Sequence, residues 1–422
     1  MISRERRDKL KSFLIRRPAL FRAVRRTYIA YAGFVRELFA LFHFAPQMIK
    51  RWRSAENIAW KRELPVQQPQ CIDAGAVTPT LNPQQIKAWC NARQLPCSEG
   101  VHAIYLPPAT WRATPLGPLL PAYPAEAGLK IVRHAGGVDT DCAGRPHRLH
   151  ALSLNFQHLN HGGPRLYDLL EIRDGAKILW TAYVIENAPD AAHDDEAAIE
   201  NYGGYLRNLA ESVTDASHFG NRLRLVGDRT GCFLYQEIPG LESPAKRSPR
   251  VRLQAWDPLL QRSGVSIEGK VIFDIGCNLG LMGAEYLRRK ARWIHGWDRP
   301  EVVDAAYKVL LAVGCTRFSL TGATLDQDSD LFSDLPPHLK NVDREDAILS
   351  YLSVRDHVGW LTGLSKLPWR YMLYEGHPDD RQIDRYIAEL NERVSVRLLT
   401  TDRVSDSVSG SRDIALVERL TK

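Results

Sequence analysis

The sequence contains no C-x-x-C pair. Its seven cysteines, Cys71, Cys90, Cys97, Cys142, Cys232, Cys277 and Cys315, are scattered and odd in number. That spacing offers neither a zinc signature nor a disulfide framework, and it fits a reducing, cytoplasmic setting. Long apolar runs are lacking too. The best candidate, Tyr28 to Phe44, is shorter than the about 20 residues a membrane span needs, and Arg36 and Glu37 sit in its middle, where charge is costly. No small-residue cleavage site follows a clean apolar core, which argues against a secretory signal. There is no internal repeat and no low-complexity tract.

What is present is the balance of an ordinary globular protein: 422 residues, 44% hydrophobic and 25% charged, enough for two or three domains. The net charge of +7 is unevenly spread. Residues 1–62 carry sixteen Lys and Arg against four acids, Glu5, Asp8, Glu37 and Glu56, so the rest of the chain is net acidic. Aromatic and aliphatic residues recur there at helical spacing between the basic ones, giving a basic amphipathic helical arm. Such an arm suits a membrane interface, the protein's own body, or RNA phosphates.

Residues 63–100 are rich in Pro and Gln and read as a linker with a short helix around Pro83–Arg93. Residues 101–245 alternate short apolar runs with turns, which predicts an α+β unit. Its strands are expected over 101–106, 128–133, 165–172 and 177–186, with a helix around Leu149–Asn160. A hairpin is expected from 222–227 and 232–238. His193-Asp194-Asp195-Glu196 is an acidic helix start rather than a metal site, because adjacent residues on a helix do not converge on one ion. No metal is expected.

From Lys270 the rhythm changes to strands alternating with helices, the pattern of a mainly parallel, doubly wound α/β sheet. The seven strands start with KVIFDIG, RWIHGWD and RFSLTGA, continue with AILSYLS and RYMLYEG, and close with VRLLTT and DIALVER. The first ends in Asp274-Ile275-Gly276-Cys277-Asn278-Leu279-Gly280, a glycine turn that opens a helix. Glycines let the backbone approach a ligand. Asp274 would repel the pyrophosphate that a dinucleotide places at such a helix end, and favours a ligand with an amino group.

This stretch resembles motif I of the class I S-adenosylmethionine-dependent methyltransferases, strand-(D/E)-x-G-x-x-x-G. The resemblance covers about 150 residues and implies a Rossmann-like seven-stranded sheet over 246–422. It implies S-adenosyl-L-methionine held by Asp274, Gly276, Cys277, Asn278 and Gly280. Asp298, ending the second strand, takes the acid that accepts from the ribose hydroxyls. The family often has Gly-Asp-Ala after the third strand; here Thr321-Gly322-Ala323 lacks the acid, so main chain near Ala323 would contact adenine. The run Leu352-Ser353-Val354-Arg355-Asp356-His357 resembles the leucine-(Ser/Gly)-x-x-x-His stretch of many methyltransferases of this class. It places Ser353 at the cofactor and His357 at the acceptor. Since imidazole can take a proton near neutral pH, His357 is the first candidate base, followed by Glu375 and His377.

Residues 101–245 more weakly resemble the upper lobe and hinge of kinase-like folds of sugar and lipopolysaccharide kinases. Lys130 would match the phosphate-pairing lysine, with Asn221 and Glu237 near the metal positions. No glycine-rich loop, His-Arg-Asp or Asp-Phe-Gly is present, so this unit would be degenerate. The arrangement is similar to bacterial kinase–methyltransferases that modify surface polysaccharides, which implies a glycan or lipid-linked glycan acceptor, met as a peripheral protein at the inner face of the membrane. The alternatives are an RNA methyltransferase and a non-catalytic scaffold.

Overall fold

The computed structural model describes residues 67, 69–73, 83–99, 103–114, 116–120, 123–132, 147–174, 177–186, 208, 212–213, 234–240, 245–377, 382–406 and 410–420. The basic arm 1–62, His193–Glu196, Asn221 and the expected strand 222–227 lie outside the described residues.

The first unit has strands β1 (Gln70–Asp73), β2 (Ser98–Glu99), β3 (Ala103–Leu106), β4 (Ala127–Val132), β5 (Leu166–Asp174) and β6 (Lys177–Glu186), and helices α1 (Pro83–Ala92), α2 (Pro108–Ala113) and α3 (His147–His161). The sheet order is β1-β5-β6-β4-β3-β2. All neighbours are antiparallel except β1, which lies parallel to β5. In β6, Trp180, Ala182 and Val184 enter one apolar cluster while Tyr183 and Ile185 enter another. That two-residue period is what a strand covered on both faces requires. Part of the segment expected as a linker, 63–100, is built into this unit: β1 extends the sheet, and α1 buries Ile86 and Cys90 in its core.

Two short strands follow, β7 (Leu234–Gln236) and β8 (Ala245–Arg247). They pair in parallel, while the strand 222–227 expected to form a hairpin with 232–238 lies outside the described residues. Helices α4 (Pro249–Gln254) and α5 (Asp257–Arg262) then lead into the second sheet.

That sheet consists of β9 (Val271–Ile275), β10 (Trp293–Asp298), β11 (Phe318–Gly322), β12 (Ala347–Leu352), β13 (Tyr371–Glu375), β14 (Val396–Asp406) and β15 (Gly410–Arg419). The order is β11-β10-β9-β12-β13-β15-β14, with β15 antiparallel to both of its neighbours. Helices α6 (Leu281–Arg288), α7 (Pro300–Ala312), α8 (Pro337–Lys340), α9 (Arg355–Val358) and α10 (Ile383–Asn391) complete the unit. Every residue of β9 and β12 is buried, which explains why both are apolar apart from Asp274 and Ser350. Pro300 opens α7 at its first turn, where its missing N–H costs nothing. Gly314, at φ +84°, ends it in the left-handed conformation that glycine tolerates.

The two sheets share a core. One apolar cluster holds Ile104, Leu129 and Val184 of the first sheet and Val271, Phe273 and Trp297 of the second. A buried polar joint pins them together: Asp168 of β5 accepts from Arg317 Nη1 at 2.9 Å and from Tyr123 Oη at 2.6 Å. Gln67 accepts from the Thr316 and Arg317 backbone N–H groups. α3 closes the joint, with Asn155 Nδ2 donating to the Leu311 carbonyl. No helix among the described residues is long and apolar enough to cross a membrane.

Candidate active site

The chain builds β9, β10 and β11 outward in one direction and then returns to lay β12 on the other side of β9. Where the order reverses, the crossing connections diverge and leave a crevice at the carboxyl ends of the strands. The site residues gather there.

On the β9 side is the glycine turn. Gly276 and Gly280 have φ of +72° and +73°, and a Cβ on Gly276 would stand 2.6 Å from Val354 Cγ2. Gly280 is the residue that caps α6. Asn278 also adopts a positive φ, +51°, so the backbone bends as sharply there as at a glycine. Its amide N donates to Asp298 Oδ2 at 2.8 Å, which ties the turn to the end of β10. Asp298 Oδ1 accepts from its neighbour Arg299 N at 2.8 Å, and its backbone carbonyl accepts from Ala323 N. Asp274, Gly276, Asn278, Gly280, Asp298 and Ala323 thus stand at the ends of the neighbouring strands β9, β10 and β11 or in the turns that follow them. Cys277 follows Gly276 in the turn. Its thiol is buried against the Gly296 backbone, and burial pushes its pKa well up, so it is no nucleophile.

Across the reversal point, Ser350 of β12 stands in register with Asp274 and donates Oγ–H to Oδ1 at 2.7 Å. Tyr286 of α6 lies 3.0 Å from the same hydroxyl. Burial raises the Asp274 pKa to about 6, while Ser350 and the Arg252 charge pull the other way.

Ser353, at φ +60°, turns the chain after β12. Its Oγ lies 2.8 Å from Glu375 Oε1 and 2.6 Å from Arg412 Nη1. Glu375 is held by three arginines: Arg252 through Nε at 2.7 Å and Nη2 at 2.9 Å, Arg412 at 3.0 Å and Arg247 at 3.5 Å. Burial alone would raise its pKa, but these cations lower it to about 2. The expectation that Glu375 serves as a base is thus corrected: a carboxylate so stabilised holds no proton and attracts none near neutral pH. The sequence did not reveal this clamp. The usable signal was an acid closing the apolar strand β13, since a buried carboxylate requires a cation.

His357 and His377 come together at the carboxyl ends of β12 and β13, edge to face with ring centroids 4.9 Å apart. His377 Nε2 lies 3.2 Å from the Ser353 carbonyl oxygen. A carbonyl only accepts, so Nε2 carries the proton and Nδ1 is left as the basic nitrogen.

In the first unit Lys130 lies in β4, between Tyr105 of β3 and Tyr183 of β6 in register. The following helix α3, HRLHALSLNFQHLNH, has no carboxylate to pair with a phosphate-binding lysine, and Glu237 is exposed after β7. No group of three or more His, Cys, Asp and Glu side chains among the described residues could hold a metal ion.

No protein-family model matches the chain, and no curated protein matches it in sequence. Among solved structures it is similar to magnesium protoporphyrin IX methyltransferase from Synechocystis PCC 6803 with bound SAM, at 14% identity and a TM-score of 0.31, over 40% of this chain and 79% of that one. It is also similar to a ribosomal protein L11 methylase from Lactobacillus delbrueckii, at 15% identity and a TM-score of 0.28, over 39% and 76%.

Proposed function

We propose that this protein is an S-adenosylmethionine-dependent methyltransferase. The observation that carries the proposal is the tie between Asn278 N and Asp298 Oδ2 at 2.8 Å, set at the reversal point of a seven-stranded sheet whose β15 alone runs antiparallel. A glycine turn and an acid one strand away make a cradle for a nucleoside with a ribose edge and a charged tail. The residues fit the group. A Cβ at Gly276 would collide with Val354 Cγ2, so the turn can pass this close to the end of β12 only as glycine, and Asn278 Oδ1 is buried with no hydrogen-bond partner among the described residues. Asp298 would accept from both ribose hydroxyls, main chain near Ala323 would meet adenine, and Asp274 would face the ammonium.

The donor supplies a methyl group on a sulfonium, an electrophile with a neutral thioether leaving group. The protein's share is alignment and removal of the acceptor's proton. Bound there, the donor would give its methyl carbon to the acceptor heteroatom and leave as a neutral thioether that keeps the electron pair of the carbon–sulfur bond. The acceptor's proton passes to the His357–His377 pair. On the likeness to kinase–methyltransferases the acceptor is a glycan or lipid-linked glycan, and residues 1–62 would bring the protein to the membrane surface.

Calorimetric titration with S-adenosylmethionine, beside Asp298→Ala, tests this. Micromolar binding that the substitution weakens at least about tenfold is expected, since two hydrogen bonds to a charged group are lost. A well-folded wild type that binds no donor sinks the proposal.

A further inference from the structure

Arg247, Arg252 and Arg412 come from three separate places, β8, α4 and the start of β15, yet all reach Glu375. Three guanidinium charges thus converge on one carboxylate, and Glu375 is only 2% exposed. Buried charge is costly unless balanced. Arg252 occupies both carboxylate oxygens. Arg412 shares Oε1 through Nη1 alone, and its Nε has no hydrogen-bond partner among the described residues although Arg412 is 6% exposed. A site whose only purpose was to neutralise Glu375 would need one arginine.

We propose that this cluster receives an oxyanion of the methyl acceptor, a carboxylate or phosphate group, with Glu375 as the anchor that fixes the guanidiniums. The inference rests on the methyltransferase reading and names the acceptor's chemical class. Guanidinium forks suit planar carboxylates and phosphate oxygens, and bind them with charge-assisted hydrogen bonds. Ser353 joins this cluster to the reacting end of the site. Its hydroxyl contacts Arg412, and its carbonyl contacts His377. An acceptor seated by its anion on Arg412 therefore lies beside the histidine pair, where its neighbouring hydroxyl can lose a proton.

Calorimetry with inorganic phosphate tests the proposal on the full chain, alone and saturated with S-adenosylhomocysteine, whose own carboxylate is then in place. Phosphate is expected to bind in both states. Arg412→Gln should weaken it about tenfold or more, and Arg412→Lys should restore part of the loss. Absence of phosphate binding to protein that takes up S-adenosylhomocysteine overturns the anion site and leaves the methyltransferase reading standing. Displacement of phosphate by S-adenosylhomocysteine also overturns it, by giving the arginines to the donor's tail. Phosphate binding by protein that takes up no S-adenosylhomocysteine overturns the parent reading, and with it the acceptor assignment. The wild-type competition decides the question even if Arg412→Gln fails to fold.

Discussion

Ser350 Oγ donates to Asp274 Oδ1 at 2.7 Å across β9 and β12, the two strands between which the sheet order reverses. The serine keeps a carboxylate ionisable in a place where burial has raised its pKa to about 6. An ammonium tail prefers the ionised form, so donor affinity should fall as pH drops through about 6. Ser350→Ala removes a contribution that lowers the pKa, and the midpoint should move upward. Titrations of S-adenosylmethionine between pH 5 and 8 check this, and superimposable profiles for the two proteins would falsify it.

The same carboxylate has a stability consequence. Its folded pKa, about 6, lies above the ordinary value of 3.8. The folded state therefore binds the extra proton between those values, and stability is lost as pH rises through that window. Asp274→Asn removes the cost. Without donor, the variant should be more stable than wild type at pH 7.5, by an amount up to about 3 kcal/mol, and should not bind S-adenosylmethionine. Urea denaturation of both proteins measures the difference; equal or lower stability for the variant goes against it.

Glu375 behaves in the opposite sense. Its folded pKa of about 2 lies below the ordinary 4.5, so its contribution is present above pH 4.5 and disappears as pH falls toward 2. Glu375→Gln leaves the arginines buried without their carboxylate and should cost about 3–5 kcal/mol at neutral pH. Its urea midpoint should also lose acid sensitivity between pH 4.5 and 3 relative to wild type. A variant as stable as wild type would mean that the clamp carries no stability.

His357 and His377, with rings 4.9 Å apart, should separate in kinetics. If the pair takes the acceptor's proton, replacing the base should lower kcat about 100-fold or more while leaving donor affinity unchanged. His357→Ala and His377→Ala are to be compared in a label-transfer assay with an acceptor that supports turnover. Full activity in both variants would remove the pair from the chemistry and leave alignment as the protein's whole contribution.

The second sheet was legible because buried parallel strands are continuous apolar runs, and glycines and acids punctuate their ends. Val271–Gly280 and Trp297–Asp298 stand at such strand ends, while the ligand roles given to Asp274 and Asp298 rest on the resemblance to the methyltransferase motif. Lost to view were contacts between distant segments. Arg252 and Glu375 are 123 residues apart, and Asp168 and Arg317 are 149 apart. Nothing local marks Arg252, in the short helix α4, as different from other arginines. The same limit hid β1: four residues in a Pro/Gln-rich stretch gain their strand character only from pairing with β5. Glu375 was found, but its role was misjudged, because a carboxylate's proton affinity depends on partners that the strand pattern does not show.

Arg317 and Asp168 supply the last test, that of the joint between the two sheets. The pair is buried on both sides and also engages Tyr123 and Gln67. Removing one member of such a pair strands the other in a medium that cannot solvate it, at about 3–5 kcal/mol. Replacing both leaves neither charge stranded. Arg317→Met should therefore be strongly destabilising, whereas Asp168→Asn combined with Arg317→Met should cost less than the two single substitutions together. The two sheets also share apolar surface, so the single variant should lose stability as a whole instead of releasing the first sheet intact. Urea denaturation of the four proteins gives the coupling, and limited proteolysis shows whether one sheet is cut before the other. Strict additivity would make the pair incidental to the joint, and selective cleavage of the first sheet with donor binding preserved would make the two units energetically separate.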